Sequence, residues 1–179
     1  MTSSHTKCIN LARTRMTNPF LRNEHIEAIL KEYPEYRRVG IYVFKSCQKE
    51  WIVVMERTDG TETNEKRLYV KDKRYAKYRA SKLRVIAIIN KFDPKNIIFD
   101  VVNSVYKNEK IVYKVGREVL PNFYDRDILK ICAGGIHYYS TIEPAFYEEI
   151  DTIRDYNGKI VFWKYDGSFN YMTFKSNKN

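Results

Sequence analysis

Residues 40–58 have the sequence GIYVFKSCQKEWIVVMERT. Their apolar side chains recur with a period of about 2, which is typical of strands, whereas the residues before them recur with the helical period of about 3.6. β-Branched and aromatic residues fill both halves of the stretch, as they do in sheets. The stretch therefore predicts two consecutive strands, joined near Gln48 and Lys49.

One helix is predicted before these strands, over residues 21–35. Ile26, Ile29 and Leu30 lie on one face of it, because residues three and four positions apart are neighbours on a helix. Pro34 ends the pattern, since the residue before a proline avoids the helical conformation. The helix therefore precedes the sheet-forming part of the chain.

Several segments after residue 58 have the composition of strands and are separated by turn-forming residues. They lie at residues 66–72, 82–90, 96–108, 110–120, 136–140, 158–167 and 168–175. Two short helices are predicted near residues 126–132 and 143–153. The fold class is therefore predicted as α+β, a single domain dominated by mixed or antiparallel sheet with about three short helices.

The length of the chain, 179 residues, suffices for one domain with a hydrophobic core. We expect a basic N-terminal arm at residues 1–20, a single domain at residues 21–175 and a polar tail at residues 176–179. The sheet-rich core of the domain is expected to begin at residue 40.

The net charge is +10, from 32 Lys and Arg against 22 Asp and Glu. A positive excess favours partners that carry phosphate, or anionic surfaces. Lys, Asn, Ile and Tyr are abundant together, as in proteins from A/T-rich genomes, so coding bias accounts for part of this charge.

The sequence lacks the motifs of several classes of enzyme. The sequence has no P-loop, no nucleophile elbow, no zinc-protease helix motif and no Cys-x-x-Cys pair, and its three histidines lie far apart. No catalytic residue, cofactor or metal site is therefore predicted. Three widely spaced cysteines predict free thiols in a reducing compartment. The apolar runs are too short for a membrane span.

Residues 66–84 are dense in Lys and Arg, with tyrosines among them. Cations neutralise phosphates and aromatic rings stack on bases, so the block suits a nucleotide or single-stranded nucleic acid. A solvated linker between two strands is the alternative. Arg79, Lys82 and Arg84 lead into VIAII, the apolar run of a predicted strand, which would hold them toward a phosphate. The cations assigned to nucleic acid are Lys66, Arg67, Lys71, Lys73, Arg74 and Lys77.

Gly116 interrupts the strand predicted at residues 110–120, which indicates a bulge or a close approach of the backbone. Arg117 follows this irregularity and is assigned to the same phosphate site. An exposed charge pair of Arg117 and Glu118 at the end of a strand is the alternative.

The stretch ICAGGIHYYSTIEPAFYEEI, residues 131–150, combines a turn, a strand and a capped helix. Two glycines let the chain enter the strand at a sharp angle, and the histidine shares one strand face with the second tyrosine. Beside a helix N-terminus, this arrangement suits a ligand pocket. The alternative is a core histidine with glycines that serve only the turn. The residues assigned to the pocket are Gly134, Gly135, His137, Tyr139 and Tyr147.

Three segments in order resemble an uncharacterised domain family of large DNA viruses of amoebae and of tailed phages, where the domain often adjoins pentapeptide or ankyrin repeats. In chain order they are YRASKLRVIAI, YKVGREVLPNFYD and CAGGIHYYSTIEPAFYE. The last of them is similar to a C-x-x-G-[IL]-H-[FV] signature. The resemblance covers residues 51–149. It implies a viral origin and a place in the host cytoplasm (the viral factory) or the virion. It implies no activity. Because the sequence has no repeat array, we expect a free-standing copy of the domain.

The stretch GGIHYYSTIEPAFYE also resembles, more weakly, a G-x-G-I-Y-F…S…A-x-Y segment of ADP-ribosyltransferases. This resemblance implies NAD binding with Tyr139 and Tyr147 near the nicotinamide. His137 replaces the first aromatic residue of that pattern, and no glutamate follows Glu149. With these two departures, the resemblance favours a degenerate, nucleotide-binding fold over an active transferase. A nucleophile pair of Cys132 and His137 is a further enzymatic alternative.

The preferred hypothesis is a viral accessory protein that binds a phosphate-bearing ligand without catalysis: a nucleotide, a nucleotide-derived signal or nucleic acid. Arg79, Lys82, Arg84 and Arg117 would hold the phosphate. One alternative is a structural or assembly protein that contacts other virion proteins or packaged DNA. The other is an enzyme related to the ADP-ribosyltransferases.

Overall fold

A computed structural model describes most of the chain, namely residues 24–103, 110–148, 152–154 and 160–162. The arm and the tail predicted at the two ends lie outside the described residues, as does the strand predicted at residues 168–175.

The described residues form two α-helices, a short 3₁₀-helix and ten strands. The helices are α1 (Glu24–Glu32), the 3₁₀-helix (Pro34–Arg37) and α2 (Ile142–Tyr147). The strands are β1 (Tyr42–Cys47), β2 (Trp51–Glu56), β3 (Lys77–Ala80), β4 (Leu83–Asn90), β5 (Asp100–Val102), β6 (Val112–Lys114), β7 (Glu118–Val119), β8 (Ile136–Tyr139), β9 (Thr152–Arg154) and β10 (Ile160–Phe162). The prediction of an α+β fold dominated by antiparallel sheet is confirmed.

Six strands form one curled antiparallel sheet in the order β3-β8-β1-β2-β4-β7. β1 and β2 pair over their whole length, and Gln48 and Lys49 connect them with φ angles of 51° and 62°. The two strands predicted from residues 40–58 are therefore confirmed, as a hairpin. β8 pairs with β1 on one side and with β3 on the other. A strand that comes late in the chain thus joins two early ones.

Each face of this sheet carries its own hydrophobic core. On one face, Tyr138 belongs to the same hydrophobic core as Tyr113 of the small β5–β6 sheet. On the other face, Tyr139 belongs to the same core as Ile29 of α1 and Phe146 of α2. Neighbouring residues of β8 thus enter opposite cores, as the alternation of side chains along a strand requires. Each large apolar side chain buried in this way contributes about 1.5–3 kcal/mol to the hydrophobic stabilisation.

Two local predictions are wrong. Residues 66–72, predicted as a strand, form turns and irregular backbone. Leu68 and Tyr69 are both exposed there, so these apolar side chains do not pack against a sheet as the predicted strand would require. Residues 126–132, predicted as a helix, are also irregular. The carbonyl groups of this loop bind a side chain from β3 in place of helical N–H groups, as described below.

The helix predicted at residues 143–153 is shorter than expected, because α2 ends at Tyr147 and β9 follows. No helix in the described part of the chain is long and apolar enough to cross a membrane. Cys47 is a free, buried thiol whose Sγ lies 3.3 Å from the carbonyl oxygen of Val102. Cys132 is disulfide-bonded, so the prediction of free thiols is wrong for that residue.

Candidate functional site

The guanidinium of Arg79, on β3, is 0% exposed and donates five hydrogen bonds. The acceptors, at 2.7–3.1 Å, are the carbonyl oxygens of Asp125, Asp127 and Gly134 and, twice, that of Lys130. A guanidinium has five N–H groups, and all of them are therefore used. The assignment of Arg79 to a phosphate is corrected: its side chain holds the loop at residues 125–134.

Gly134 and Gly135 bring the backbone into close contact with its own domain. A Cβ atom at Gly134 would lie 2.5 Å from the carbonyl oxygen of Phe123. At Gly135, where φ is +140°, a Cβ atom would lie 3.1 Å from the Cβ atom of Arg79. Glycine is required at both positions for this packing. The assignment of these two glycines to a ligand pocket is therefore corrected, because the atoms they approach belong to the protein itself.

His137 is the cross-strand partner of Arg79, so the two side chains share one face of the sheet. Burial, followed by the positive charges of Lys45 and Lys77, lowers the pKa of His137 to about 3, although a hydrogen bond with the backbone of Ile131 acts in the opposite direction. The ring is therefore neutral at physiological pH and offers no positive charge to a phosphate. His137 corresponds to the core histidine of the alternative interpretation.

Tyr139 and Lys77 also belong to the interior. The Nζ atom of Lys77 lies 5.6 Å from the ring centroid of Tyr139, and Lys77 forms an ion pair with Glu148. Burial alone would raise the pKa of Glu148, but the charges of Lys77 and Lys45 lower it below its ordinary value, which keeps the carboxylate ionised. The assignments of Tyr139 to a pocket and of Lys77 to nucleic acid are therefore corrected.

The other cations assigned to phosphate lie near the β4–β7 pair. Nζ of Lys82 is 3.7 Å from the carboxylate of Glu118, and Nη1 of Arg84 is 3.9 Å from that of Glu56. Arg117 is exposed. Ion pairs this exposed contribute at most about 1 kcal/mol, so these side chains remain available at the surface.

The basic segment, which we define as residues 66–74, exposes four of the cations assigned to nucleic acid: Lys66, Lys71, Lys73 and Arg74. Tyr69 lies among them with 96% of its surface exposed and with a φ of 63°, in the left-handed region. Tyrosine usually buries most of its ring in a folded protein. This ring instead remains accessible between positive charges.

Both ends of the basic segment are attached to the sheet. Arg67 donates from Nη1 to the carbonyl oxygen of Lys77 at 2.6 Å, and its guanidinium lies 4.9 Å from the ring centroid of Tyr78. Arg67 therefore fixes the segment instead of extending from it, and its assignment to nucleic acid is corrected.

The second attachment lies at the junction of β8 and α2. The hydroxyl of Ser140 donates to the carbonyl oxygen of Lys73 at 2.9 Å, and that of Thr141 donates to the carbonyl oxygen of Arg74 at 2.7 Å. These two bonds place the C-terminal end of the basic segment against the start of α2.

A groove of about 580 Å³ opens beside this attachment. Its volume falls within the range of small-molecule sites, roughly 300–1,000 Å³. Tyr147, which the sequence assigned to a pocket, lines this cavity, and Arg74 belongs both to the groove and to the basic segment. Further lining residues come from α1 and the 3₁₀-helix: Ile26, Leu30, Tyr36 and Arg37.

Two arginines of the groove are engaged only in part. Arg37 donates from Nη2 to the carboxylate of Glu27 at 3.1 Å, and Arg74 donates from Nε and Nη2 to that of Asp72 at 3.2 and 2.9 Å. Among the described residues, neither has a second acceptor for its remaining N–H groups. In contrast to Arg79, both therefore keep donors for a ligand.

Arg37 and Tyr36 escaped the sequence analysis. They follow Pro34 in the run EYPEYRRVG, between the predicted helix and the first predicted strand, where no pattern singles them out. Pro34 in fact begins the 3₁₀-helix, which is the local signal that the backbone changes course there. The groove itself forms because α2 approaches from more than a hundred residues away, and no local pattern predicts that approach.

Most of the chain matches a known protein family. Residues 31–145, more than half of the chain, match a family described as "Family of unknown function (DUF5758)". The chain belongs to this family. The matched range of DUF5758 contains the basic segment and both arginines of the groove. No match was found among curated proteins or among solved structures. Membership of an uncharacterised domain family is thus confirmed, whereas the viral origin and the likeness to ADP-ribosyltransferases stay predictions.

A metal centre and a Cys–His nucleophile pair both require specific groupings of side chains. Within the described ranges, no group of three or more His, Cys, Asp or Glu side chains is placed to hold a metal ion. The pair of Cys132 and His137 lacks a thiolate, because Cys132 is disulfide-bonded.

Proposed function

We propose that this protein binds a phosphate-bearing ligand without catalysis, and that the ligand best suited to the basic segment is single-stranded nucleic acid. The observation that carries the proposal is the ring of Tyr69, which is 96% exposed between exposed cations. Bases stack on accessible aromatic rings, and neighbouring lysines neutralise the phosphates on either side.

The attachments of the basic segment support this proposal. Arg67 at one end and the hydroxyls of Ser140 and Thr141 at the other hold the segment on the sheet. A cationic surface held in this way loses less conformational entropy on binding than a free chain would. The net charge of +10 adds a long-range attraction for polyanions.

An assembly protein is the second candidate, and a different observation favours it. Leu120, Phe123 and Leu129 are exposed around the loop that Arg79 holds in place. Exposed apolar side chains on a fixed loop are typical of protein contacts. A viral origin, with a place in the virion or the viral factory, belongs with either candidate and rests only on the resemblance described above.

Fluorescence anisotropy with a labelled twelve-nucleotide DNA and the equivalent RNA tests the nucleic-acid proposal. We expect Tyr69→Ala to weaken binding roughly tenfold, since stacking on one aromatic ring contributes about 1–3 kcal/mol per base. Phe99→Ala is the matched control, because Phe99 is also an exposed aromatic residue but lies outside the basic segment.

Equal affinities of the Tyr69→Ala and Phe99→Ala variants would contradict the role of Tyr69. If the wild-type protein binds neither oligonucleotide at low salt, the nucleic-acid proposal fails. Concentration-dependent self-association in sedimentation velocity, lost on Phe123→Ser, would then favour the assembly protein.

A further inference from the structure

The groove combines aromatic and aliphatic surface. Tyr36 and Tyr147 both line it, and Tyr147 packs edge-on against Phe146, with ring centroids 5.3 Å apart. Ile26 and Leu30 of α1 add aliphatic surface. Tyr36 is only 7% exposed and packs against other aromatic rings, so Tyr147 is the more accessible ring of the two. A planar heterocycle gains more from this apolar lining than an inorganic anion does.

The polar lining has both signs of charge. Arg37 and Arg74 can donate to a phosphate, whereas Glu27 and Glu143 can only accept. Glu143 already accepts a hydrogen bond from the hydroxyl of Tyr75 at 2.6 Å. A ligand that matches this lining carries phosphate at one end and hydrogen-bond donors, such as ribose hydroxyls or a base amino group, at the other.

The ion pairs of the two groove arginines are weak enough for a phosphate to replace the carboxylate. The side chain of Arg74 is 70% exposed in its pair with Asp72, and that of Arg37 is 51% exposed in its pair with Glu27. Exposed pairs contribute little, whereas an arginine bonded to phosphate forms stronger, charge-assisted hydrogen bonds. A phosphate can therefore recruit either guanidinium at small cost.

We propose that the groove binds one nucleotide unit, with the phosphate at Arg37 and Arg74 and the base against Tyr147. The inference rests on the proposed function and deepens it, because Arg74 belongs to both surfaces. A single-stranded nucleic acid bound to the basic segment can thus place one of its nucleotides in the groove. A free nucleoside monophosphate has the same chemistry and serves as the probe.

Titration of the ¹⁵N-labelled protein with AMP, GMP, CMP and UMP, followed by NMR, tests the groove. At least one monophosphate should bind at least tenfold more tightly than adenosine or inorganic phosphate. Val39→Trp should weaken this binding at least tenfold, because Val39 lines the groove and is 74% exposed, so a larger side chain obstructs the cavity without entering the core. Arg37→Gln should weaken it similarly. Val112→Trp, at an exposed apolar position of β6, should change it by less than twofold.

The groove assignment is overturned if no monophosphate binds, if phosphate alone binds as tightly, or if Val39→Trp and Val112→Trp behave alike. Displacement of the monophosphate by an apolar peptide but not by an oligonucleotide would also overturn it, in favour of a peptide groove. If a monophosphate binds but the oligonucleotides do not, the proposal of nucleic-acid binding fails and the groove assignment still holds. If Val39→Trp does not weaken oligonucleotide binding, the oligonucleotide contacts the basic segment alone. That result would overturn the link between the two sites.

Discussion

Nη1 of Arg79 lies 2.7 Å from the carbonyl oxygen of Gly134, although 55 residues separate them in the sequence. Together with four similar bonds, this contact fastens the loop at residues 125–134 to β3. Arg79 and Gly134, both assigned to a ligand from the sequence, therefore meet in space. Their donors and acceptors satisfy one another, and the same contacts can be tested by their effect on stability.

Arg79→Lys should lower the free energy of unfolding by about 2 kcal/mol or more. Lysine keeps the charge but has three donors in place of five and lacks the planar fork, so carbonyl groups of the loop lose their partners. Urea denaturation measures the change. Arg84→Lys is the matched control, because Arg84 is half-exposed and weakly paired, and it should change stability by less than about 0.5 kcal/mol. Equal effects at the two positions would show that the loop does not depend on the guanidinium.

Gly134→Ala should cost about 2–3 kcal/mol, because the new methyl group would overlap the carbonyl oxygen of Phe123. Gly60→Ala serves as the comparison, since Gly60 has a φ of +75° but open space around it. That substitution should cost only about 1 kcal/mol, from backbone strain. Thermal unfolding of the two variants separates close packing from conformational strain, and a smaller effect at Gly134 than at Gly60 would refute the close approach.

His137 should make the protein less stable as the pH falls. Its folded pKa, about 3, lies below the ordinary value of 6.5, so the unfolded chain takes up the proton first. Stability from this residue is complete above about pH 6.5 and decreases toward pH 3. Between pH 6.5 and 5 the loss should be about 2 kcal/mol, since one pKa unit corresponds to about 1.4 kcal/mol.

Urea denaturation of the wild type and of His137→Gln at pH 7, 6 and 5 measures this contribution. Carboxylates with ordinary or lowered pKa values stay ionised in that range, so the histidine dominates the slope. The variant should show a flatter dependence on pH. Parallel slopes for the two proteins would mean that His137 titrates normally in the fold.

Replacing Lys66, Lys71 and Lys73 by Gln should weaken the salt dependence of oligonucleotide binding. Each phosphate contact on a single strand contributes about −0.7 to the slope of log K against log salt concentration, so three lost contacts should reduce the slope by about 2. The control removes the same charge at three exposed lysines outside the basic segment: Lys95, Lys110 and Lys114. Similar slopes for both triple variants would indicate a diffuse attraction by net charge.

The sequence predicted the parts of the fold that have their own periodicity. The β1–β2 hairpin and α1 follow from apolar residues at the spacing of a strand and of a helix. β3 was missed because its four residues include Lys77 and Arg79, whose burial depends on Glu148 and on loop carbonyls far away in the chain. Tertiary contacts override local composition at such positions.

The candidate site shows the same division. Exposure of Lys66 and Lys71 follows from their position in a charged segment and was expected. The sequence assigned Arg79 and His137 to ligand binding from two separate segments, and the structure pairs them across β3 and β8. Whether a buried arginine meets a ligand or a carbonyl group depends on the loop that covers it, and the composition of that loop does not reveal its path.

The position of β8 between β3 and β1 has a consequence for synthesis on the ribosome. β1 and β3 are translated early, but the strand that joins them spans residues 136–139. Until those residues emerge, β1 has an open edge and β3 has no neighbour in the sheet. Open edges pair readily with strands of other chains, and contacts between distant parts of the sequence form slowly. A nascent chain stalled before residue 136 should therefore be the species of this protein most prone to aggregate.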